Sequence, residues 1–167
     1  DNGTVTTFAG TSGSSGSTDG TGTDARFKNP TGITTDGTNL YVVDQGNLTI
    51  RKIVISSGVV STLAGTYSSS PSYAVTDDTG PDAAFNSPNR ITTDGTNLYV
   101  TEYNKQLIRK IVISSGVVTT VAGTINQTGS ADGTGAAARF KKPHGFTSDG
   151  TSLYLADSDN HLIRKID

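Results

Sequence analysis

The chain repeats itself, and this repetition restricts its fold more than any other feature. Residues 50–60 read IRKIVISSGVV, and residues 108–118 have the same sequence. A second segment, ITTDGTNLYV at 33–42, recurs unchanged at 91–100, and a looser third copy starts at Phe146. A period of about 55–58 residues is typical of solenoids, propellers and other repeat arrays. We therefore predict a single repeat-built segment, residues 1–167, in which long loops join repeats at about 27–66, 85–124 and 140–167.

Each repeat contains four strand-like segments that are separated by turn residues. In the first repeat they lie at about 32–35, 40–43, 49–55 and 59–64. Asp-Gly and Ser-Gly pairs between them favour tight turns, because glycine reaches positive φ at little cost. In the second strand Leu40 and Val42 point to one side, and Tyr41 and Val43 to the other. A sheet with two apolar faces must be covered on both, so we predict an all-β propeller of four-stranded antiparallel blades.

The residues around these strands resemble a known repeat. The run NPTGITTDGTNLYVVD at 29–44, followed by Asn47 and by IRKI at 50–53, is similar to an NHL-type repeat. The third copy resembles it most, with Asp157, Asn160-His161 and then IRKI. The resemblance covers essentially the whole chain and implies a β-propeller. Propellers of this family typically have about six blades, and this chain carries three repeats.

The order of the strands predicts how such a ring closes. Residues 3–11, GTVTTFAGT, match the fourth strand at 58–66, GVVSTLAGT, whereas the last repeat stops at the equivalent of its third strand. Three blades are too few for a ring. We therefore expect a homodimer with six blades, in which the strand at 3–11 of each chain completes the last blade of the other. The alternatives are that the chain is half of a longer six-bladed protein, or that it forms another assembly.

Strand alternation divides the connections between two faces. The turns between second and third strands share one face with the long connections between repeats, and we call this the loop face. It carries nearly all the variation between repeats, in residues 11–26, 66–84 and 124–139. Long connections on a rigid scaffold commonly carry function, so we predict binding here. The alternative is that these loops merely tolerate change.

The start of each first strand is expected to form the entrance to the central channel, which we call the channel mouth. The repeats read Pro-Thr-Gly, Pro-Asn-Arg and Pro-His-Gly there, so Arg90 stands where the other copies have glycine. In a two-fold ring, two copies of Arg90 and of His144 suit an anion such as a carboxylate, although a solvated arginine is an equal alternative. The candidate ligand-binding residues at the mouth and on the loop face are Thr31, Asn89, Arg90, His144, Tyr103, Lys105, Asp159 and His161.

Other recurrent residues are better explained by structure than by chemistry. One acid and one arginine recur in every repeat, and we predict an ion pair within each blade from Asp44, Glu102 and Asp157 with Arg51, Arg109 and Arg164. The phenylalanines at 27, 85 and 140 are expected in the core, with Arg26 and Arg139 covering two of them. Glycine-rich loops follow Asp19 and Asp132. They lack the EF-hand pattern and a phosphate-loop lysine, so a calcium site there is a weak alternative.

Composition excludes several classes of function. The formal net charge is −2, with 13 basic and 15 acidic residues, so no basic surface for nucleic acid is indicated. No apolar run is long enough to predict a membrane span. The absence of Cys excludes disulfides and thiolate chemistry. A chain rich in Thr, Ser and Gly that lacks Cys favours a bacterial extracellular or periplasmic protein, and we expect no cofactor.

These features predict a non-catalytic binding and assembly module. Its partners would be a second copy of the chain and a protein, glycan or small ligand on the loop face. An alternative is a lyase- or hydrolase-type enzyme at the channel mouth. NHL-type amidating lyases bind zinc there through several histidines, whereas this chain has only His144 and His161. Two copies of His144 in one ring are the remaining way to hold a metal. A further alternative is a structural or engineered propeller fragment.

Overall fold

The computed structural model describes residues 3–66 and 75–167. Residues 67–74, which belong to the long connection predicted at 66–84, lie outside the described residues. Within those ranges the chain forms three antiparallel sheets connected by turns and short 3-10 segments, and no α-helix. The described residues also include no helix that is long and apolar enough to cross a membrane.

Each of the first two sheets contains five strands. In the first sheet these are β1 (Gly20–Thr21), β2 (Pro30–Thr35), β3 (Asn39–Asp44), β4 (Thr49–Val54) and β5 (Val59–Ala64). In the second they are β6 (Asp78–Thr79), β7 (Pro88–Thr93), β8 (Asn97–Glu102), β9 (Leu107–Val112) and β10 (Val117–Ala122). Strands β2 to β5 and β7 to β10 are the predicted four-stranded meanders. The two-residue strands β1 and β6 add to their outer edges, in the orders β1-β5-β4-β3-β2 and β6-β10-β9-β8-β7.

The third sheet has three strands, β11 (Pro143–Ser148), β12 (Leu153–Asp157) and β13 (Leu162–Ile166). It therefore lacks the fourth strand that the other two sheets contain. The segment at 3–11 that was expected to supply a fourth strand belongs to none of the three sheets that the described residues form. Within the described residues it contributes an isolated bridge between Thr11 and Ser14. Its pairing with another chain stays a prediction.

Aspartates fix the turns that join the first and second strands of each sheet. In the second sheet, Asp94 Oδ1 accepts the N–H groups of Thr96 and Asn97 at 2.8 and 2.7 Å. The hydroxyl of Tyr99 donates to Asp94 Oδ2 at 2.9 Å. Burial raises the pKa of Tyr99 to about 12, with the help of this hydrogen bond. Burial opposes the charged form of Asp94, but its hydrogen bonds outweigh that effect and lower its pKa to about 2.

The sheets pack face to face, as the alternation of apolar residues predicted. Tyr41, Val43 and Ile50 from the first sheet share one buried cluster with Ile91 and Val100 of the second. Leu40, Val42 and Ile53 are on the opposite face of the first sheet, in a separate cluster. The innermost strands β2, β7 and β11 lie next to one another, so this edge of every sheet faces the expected channel.

Candidate functional site

The recurrent acids and arginines form buried ion pairs inside each blade, as predicted. Arg51 Nη1 donates to Asp44 Oδ2 at 2.9 Å, and both side chains are fully buried. Glu102 pairs with Arg109 at the equivalent place. Burial raises the pKa of Glu102, and the arginine opposes that rise without cancelling it. Because the acid and the guanidinium of each pair are buried against each other, the pair stabilises the blade rather than offering a reactive group.

The aspartates of the glycine-rich loops form ion pairs with the same arginines. Asp19 Oδ1 accepts a hydrogen bond from Arg51 Nη2 at 2.6 Å, and Asp77 Oδ1 accepts one from Arg109 Nη2 at 2.8 Å. A carboxylate held by a guanidinium is a poor calcium ligand. Nowhere in residues 3–66 and 75–167 do three His, Cys, Asp or Glu side chains come together as a metal site would require.

The arginines that cover the core phenylalanines differ from those predicted. The guanidinium of Arg51 lies 5.1 Å from the ring centroid of Phe27, and Arg109 is at 5.3 Å from Phe85. Arg26 Nη1 instead donates to the carbonyl oxygens of Thr23 and Ala25. The guanidinium groups over Phe27 and Phe140 therefore belong to the third-strand arginines Arg51 and Arg164 rather than to the predicted Arg26 and Arg139.

The channel mouth is built where β2 and β7 approach each other closely. Thr31 Oγ1 donates to the carbonyl oxygen of Asn89 at 2.8 Å. A Cβ atom added to Gly32 would lie only 2.8 Å from that same oxygen, so the close approach requires glycine at this position. Arg90 is on the neighbouring strand, with Nη1 3.4 Å from the carbonyl oxygen of Thr31. No carboxylate within the described residues pairs with Arg90.

His144 and Tyr103 lie at the same mouth. Their rings meet edge to face, with centroids 5.9 Å apart. Burial lowers the pKa of His144, and the positive charge of Arg90 lowers it further. The imidazole is therefore neutral near pH 7 and able to donate one hydrogen bond and accept another. A cationic guanidinium thus lies close to a neutral imidazole.

Lys142 extends this group, and sequence reasoning missed it. Its Nζ lies 5.9 Å from the ring centroid of Tyr103 and 3.3 Å from Asp159 Oδ2. The hydrogen bond to Asp159 raises the pKa of Lys142. Lys142 follows the pattern of Asn29 and Ser87, which occupy the same left-handed backbone position in the other repeats. That recurrence was the available signal, and it was obscured because the residue type changes in every copy.

The structure therefore brings together six of the eight predicted residues. Thr31, Asn89, Arg90, His144 and Tyr103 form the mouth, and Asp159 joins them through Lys142. Lys105 is directed elsewhere, since its Nζ donates to Asn126 Oδ1 at 3.2 Å. His161 is exposed at the end of the 3-10 turn Ser158–Asn160, in a left-handed conformation.

Comparisons with known proteins identify the architecture. No protein-family model and no curated protein matches the chain. A Bacteroides thetaiotaomicron protein of unknown function is 29% identical, with a TM-score of 0.66 over 76% of this chain and 32% of that one. An auxiliary nutrient binding protein of the same organism is 22% identical, with a TM-score of 0.69 over 81% and 36%. A streptogramin B lyase structure is 15% identical, with a TM-score of 0.50 over 83% and 40%.

These similarities confirm the predicted all-β, propeller-type fold and go no further than the fold. The chain spans about a third of the length of the first two matched proteins. The NHL assignment stays a prediction, since no family model supports it.

Proposed function

We propose that the chain is a non-catalytic, NHL-type propeller module that closes a six-bladed ring with a second copy and binds a ligand at the channel mouth. The single observation that carries the ring is the pair of complementary open ends. Among the described residues the third blade has no fourth strand, and the N-terminal segment at 3–11, which joins none of the three sheets, has the sequence of that strand. In the proposed ring, residues 3–11 of a second copy would supply that strand.

Exposure at these ends differs sharply from exposure at equivalent positions inside the chain. Ile33 on the free face of the first blade is 62% exposed, whereas Ile91 at the same place in the second blade is 6% exposed. Val5 is 93% exposed, and its equivalent Val60 in β5 is 2% exposed. A large apolar area left open beside a free strand edge favours association. A two-fold ring would cover both ends with identical contacts.

The ligand site rests on Arg90. Among the described residues its guanidinium contacts the carbonyl oxygen of Thr31 and no carboxylate, and glycines stand at its position in the neighbouring blades. In the ring, two copies of Arg90 from opposite blades would share one channel mouth, each beside a neutral His144. Two like charges in a confined opening favour an anion between them. The class of ligand proposed is thus a carboxylate-bearing small molecule or glycan.

Two further points agree with a binding role. One structural neighbour is named as an auxiliary nutrient binding protein. The acids that recur in every blade are buried in ion pairs, which leaves them unsuited to acid–base chemistry. An extracellular or periplasmic location would suit such a module and is part of this proposal.

Solution mass tests the ring. Val5→Asp places a charge on a side chain that is exposed in the single chain but buried in the ring, so we expect a monomer with an unchanged fold. Thr6→Asp is the matched control, because its equivalents Ser61 and Thr119 are exposed in complete blades. Sedimentation equilibrium should show a dimer for the wild type and for Thr6→Asp. A wild-type chain that stays monomeric at high concentration would contradict the proposed ring.

A further inference from the structure

A loop aspartate links the third and fourth strands in each complete blade. In the first blade, Asp19 Oδ1 accepts hydrogen bonds from Arg51 Nη2 at 2.6 Å and from Thr62 Oγ1 at 3.1 Å. Its other oxygen accepts the backbone N–H of Thr62 at 3.2 Å. The carboxylate therefore holds one particular threonine of β5 opposite one particular arginine of β4, and so marks the register of the two strands.

The second blade repeats this link with close to the same geometry. Asp77 Oδ1 accepts hydrogen bonds from Arg109 Nη2 at 2.8 Å and from Thr120 Oγ1 at 3.0 Å. Asp77 Oδ2 accepts the N–H of Thr120 at 3.0 Å. Arg109 and Thr120 are direct partners in the ladder between β9 and β10. Two independent copies of one arrangement show that it belongs to the repeat rather than to one loop.

The third blade holds only half of the link. Arg164 Nη2 donates to Asp132 Oδ1 at 2.8 Å, but no threonine of the chain reaches that carboxylate. The side chain of Asp132 is 97% exposed, against 50% for Asp19 and 47% for Asp77. The difference is the area that the fourth strand covers in the complete blades.

The N-terminal segment contains the missing threonine at the matching position. Aligning 3–11 with 58–66 and 116–124 places Thr7 on Thr62 and Thr120. We propose that β13 together with Asp132 is a strand-binding site selective for a threonine-bearing segment, and that Thr7 of a second copy donates its N–H and Oγ1 to Asp132. This inference rests on the proposed ring for its natural occupant, although the site itself is present in the single chain.

The complete blades dictate the register of the incoming strand. Their pairings set Thr7 of the second copy opposite Arg164 and Val5 opposite Ile166, as Thr62 lies opposite Arg51 and Val60 opposite Ile53. A second contact supports the same register. The N–H of Gly22 donates to Gly58 O at 2.9 Å, and Gly80 and Gly116 repeat this contact. The equivalent donor in the third blade is the N–H of Gly135, which would meet the carbonyl of Gly3.

The polar link is needed because apolar pattern alone leaves one wrong register open. A slip of one residue turns every side chain to the opposite face and is excluded by burial. A slip of two residues keeps the faces and puts Thr7 in the place of Val5, which has nearly the same shape. That slip would bring Ala9 to Asp132, and the opposite slip would bring Val5 there; neither residue has a hydroxyl. The carboxylate therefore adds a polar selection between registers that place the same side chains on each face.

Two matched substitutions test the link in the full-length chain. Thr7→Val removes the hydroxyl and keeps the shape. Thr6→Val makes the same change at the neighbouring position, since the loop aspartates bond the equivalents of Thr7, Thr62 and Thr120, rather than those of Thr6. Both residues are exposed in the single chain, so neither change is expected to alter its thermal unfolding. We expect Thr7→Val to raise the dimer dissociation constant about 100-fold, from about tenfold at each of two interfaces, and Thr6→Val to change it less than threefold.

A peptide separates this inference from the ring. The monomeric Val5→Asp chain has a free third blade, and the probe is a labelled peptide with the sequence of residues 3–11. We expect this peptide to bind, and its Thr7→Val form or an added Asp132→Ala change to weaken binding about tenfold. If the peptide binds the third blade but the wild-type chain stays monomeric, the ring is contradicted and the strand-binding site is supported. Equal affinity of both peptides, or equal effects of Thr7→Val and Thr6→Val, would overturn the selective link.

Discussion

Ile163 offers the sharpest measure of how much the open face of the third blade contributes to assembly. Its side chain is 77% exposed, whereas Ile108 at the equivalent position of β9 is fully buried. The two residues occupy copies of the same sequence, LIRKI. Truncation of each to alanine removes the same three carbon atoms. The structure predicts that the first truncation weakens association and that the second weakens the fold.

The magnitude follows from the area that would be covered. Each buried methylene or methyl group contributes about 0.8 kcal/mol, so three carbons at 77% exposure represent about 2 kcal/mol at each interface. A two-fold ring has two such interfaces, which gives about 4 kcal/mol for the dimer. At 1.4 kcal/mol for each factor of ten, Ile163→Ala should raise the dissociation constant roughly 500- to 1,000-fold.

Ile108→Ala is the internal control with the opposite signature. Truncating a fully buried isoleucine typically costs about 2–5 kcal/mol of unfolding free energy, because a cavity remains. Its thermal midpoint should therefore fall in the monomer, at concentrations too low for assembly. Ile163→Ala should leave that midpoint unchanged. The reasoning is refuted if Ile163→Ala leaves the dissociation constant at its wild-type value, or if it lowers the monomer midpoint as much as Ile108→Ala does.

Three further predictions concern the channel mouth and the turns. Arg90→Ala should abolish binding of a dicarboxylate followed by calorimetry, while Lys105→Ala, outside the mouth, should leave it intact; equal losses would contradict the assignment. Gly32→Ala should destabilise the chain by about 1–3 kcal/mol, seen as a lower thermal midpoint, because the new Cβ would lie 2.8 Å from a carbonyl oxygen. Asp94→Asn should lower the free energy of unfolding by about 1–2 kcal/mol above pH 4. The pKa of Asp94 is lower in the folded chain than in the unfolded chain, so the stabilisation by its charged form is complete above the unfolded pKa and is lost as the pH falls towards 2. Urea denaturation should show a smaller difference in stability between the wild type and Asp94→Asn at pH 2.5 than at pH 6. An equal difference at both pH values would contradict this prediction.

Much of the blade could be read from the sequence, because side-chain pattern determines it. Alternating apolar residues such as Leu40 and Tyr41 placed the strands and their faces. The recurrence of Asp44 with Arg51 correctly indicated a structural ion pair. Both inferences depend on residues that must be alike in every repeat. Residues that packing requires recur in every repeat, because each blade packs in the same way.

The features that escaped prediction depend on backbone or on residues that differ between repeats. The strands β1 and β6 pair through backbone hydrogen bonds of two residues each, and such short pairings leave no side-chain pattern. Lys142 occupies a left-handed backbone position whose residue type changes in each repeat. Its contact with Tyr103 therefore could not be predicted from a recurring residue. Lys105 was assigned to the loop face by turn topology alone, which does not fix the direction of a long side chain.

The differences between repeats acquire a further meaning in a ring of two chains. Any residue found in one repeat occurs twice, half a turn apart, so Arg90 would give the mouth two-fold rather than six-fold symmetry. The glycines Gly32 and Gly145 beside it would leave the space between the two guanidinium groups open. A dianion on the axis would then engage both copies of Arg90 at once, with one ligand per ring, whereas a monoanion would bind each copy separately. The stoichiometry of binding therefore depends on closure of the ring, and the two halves of the proposed function are physically coupled.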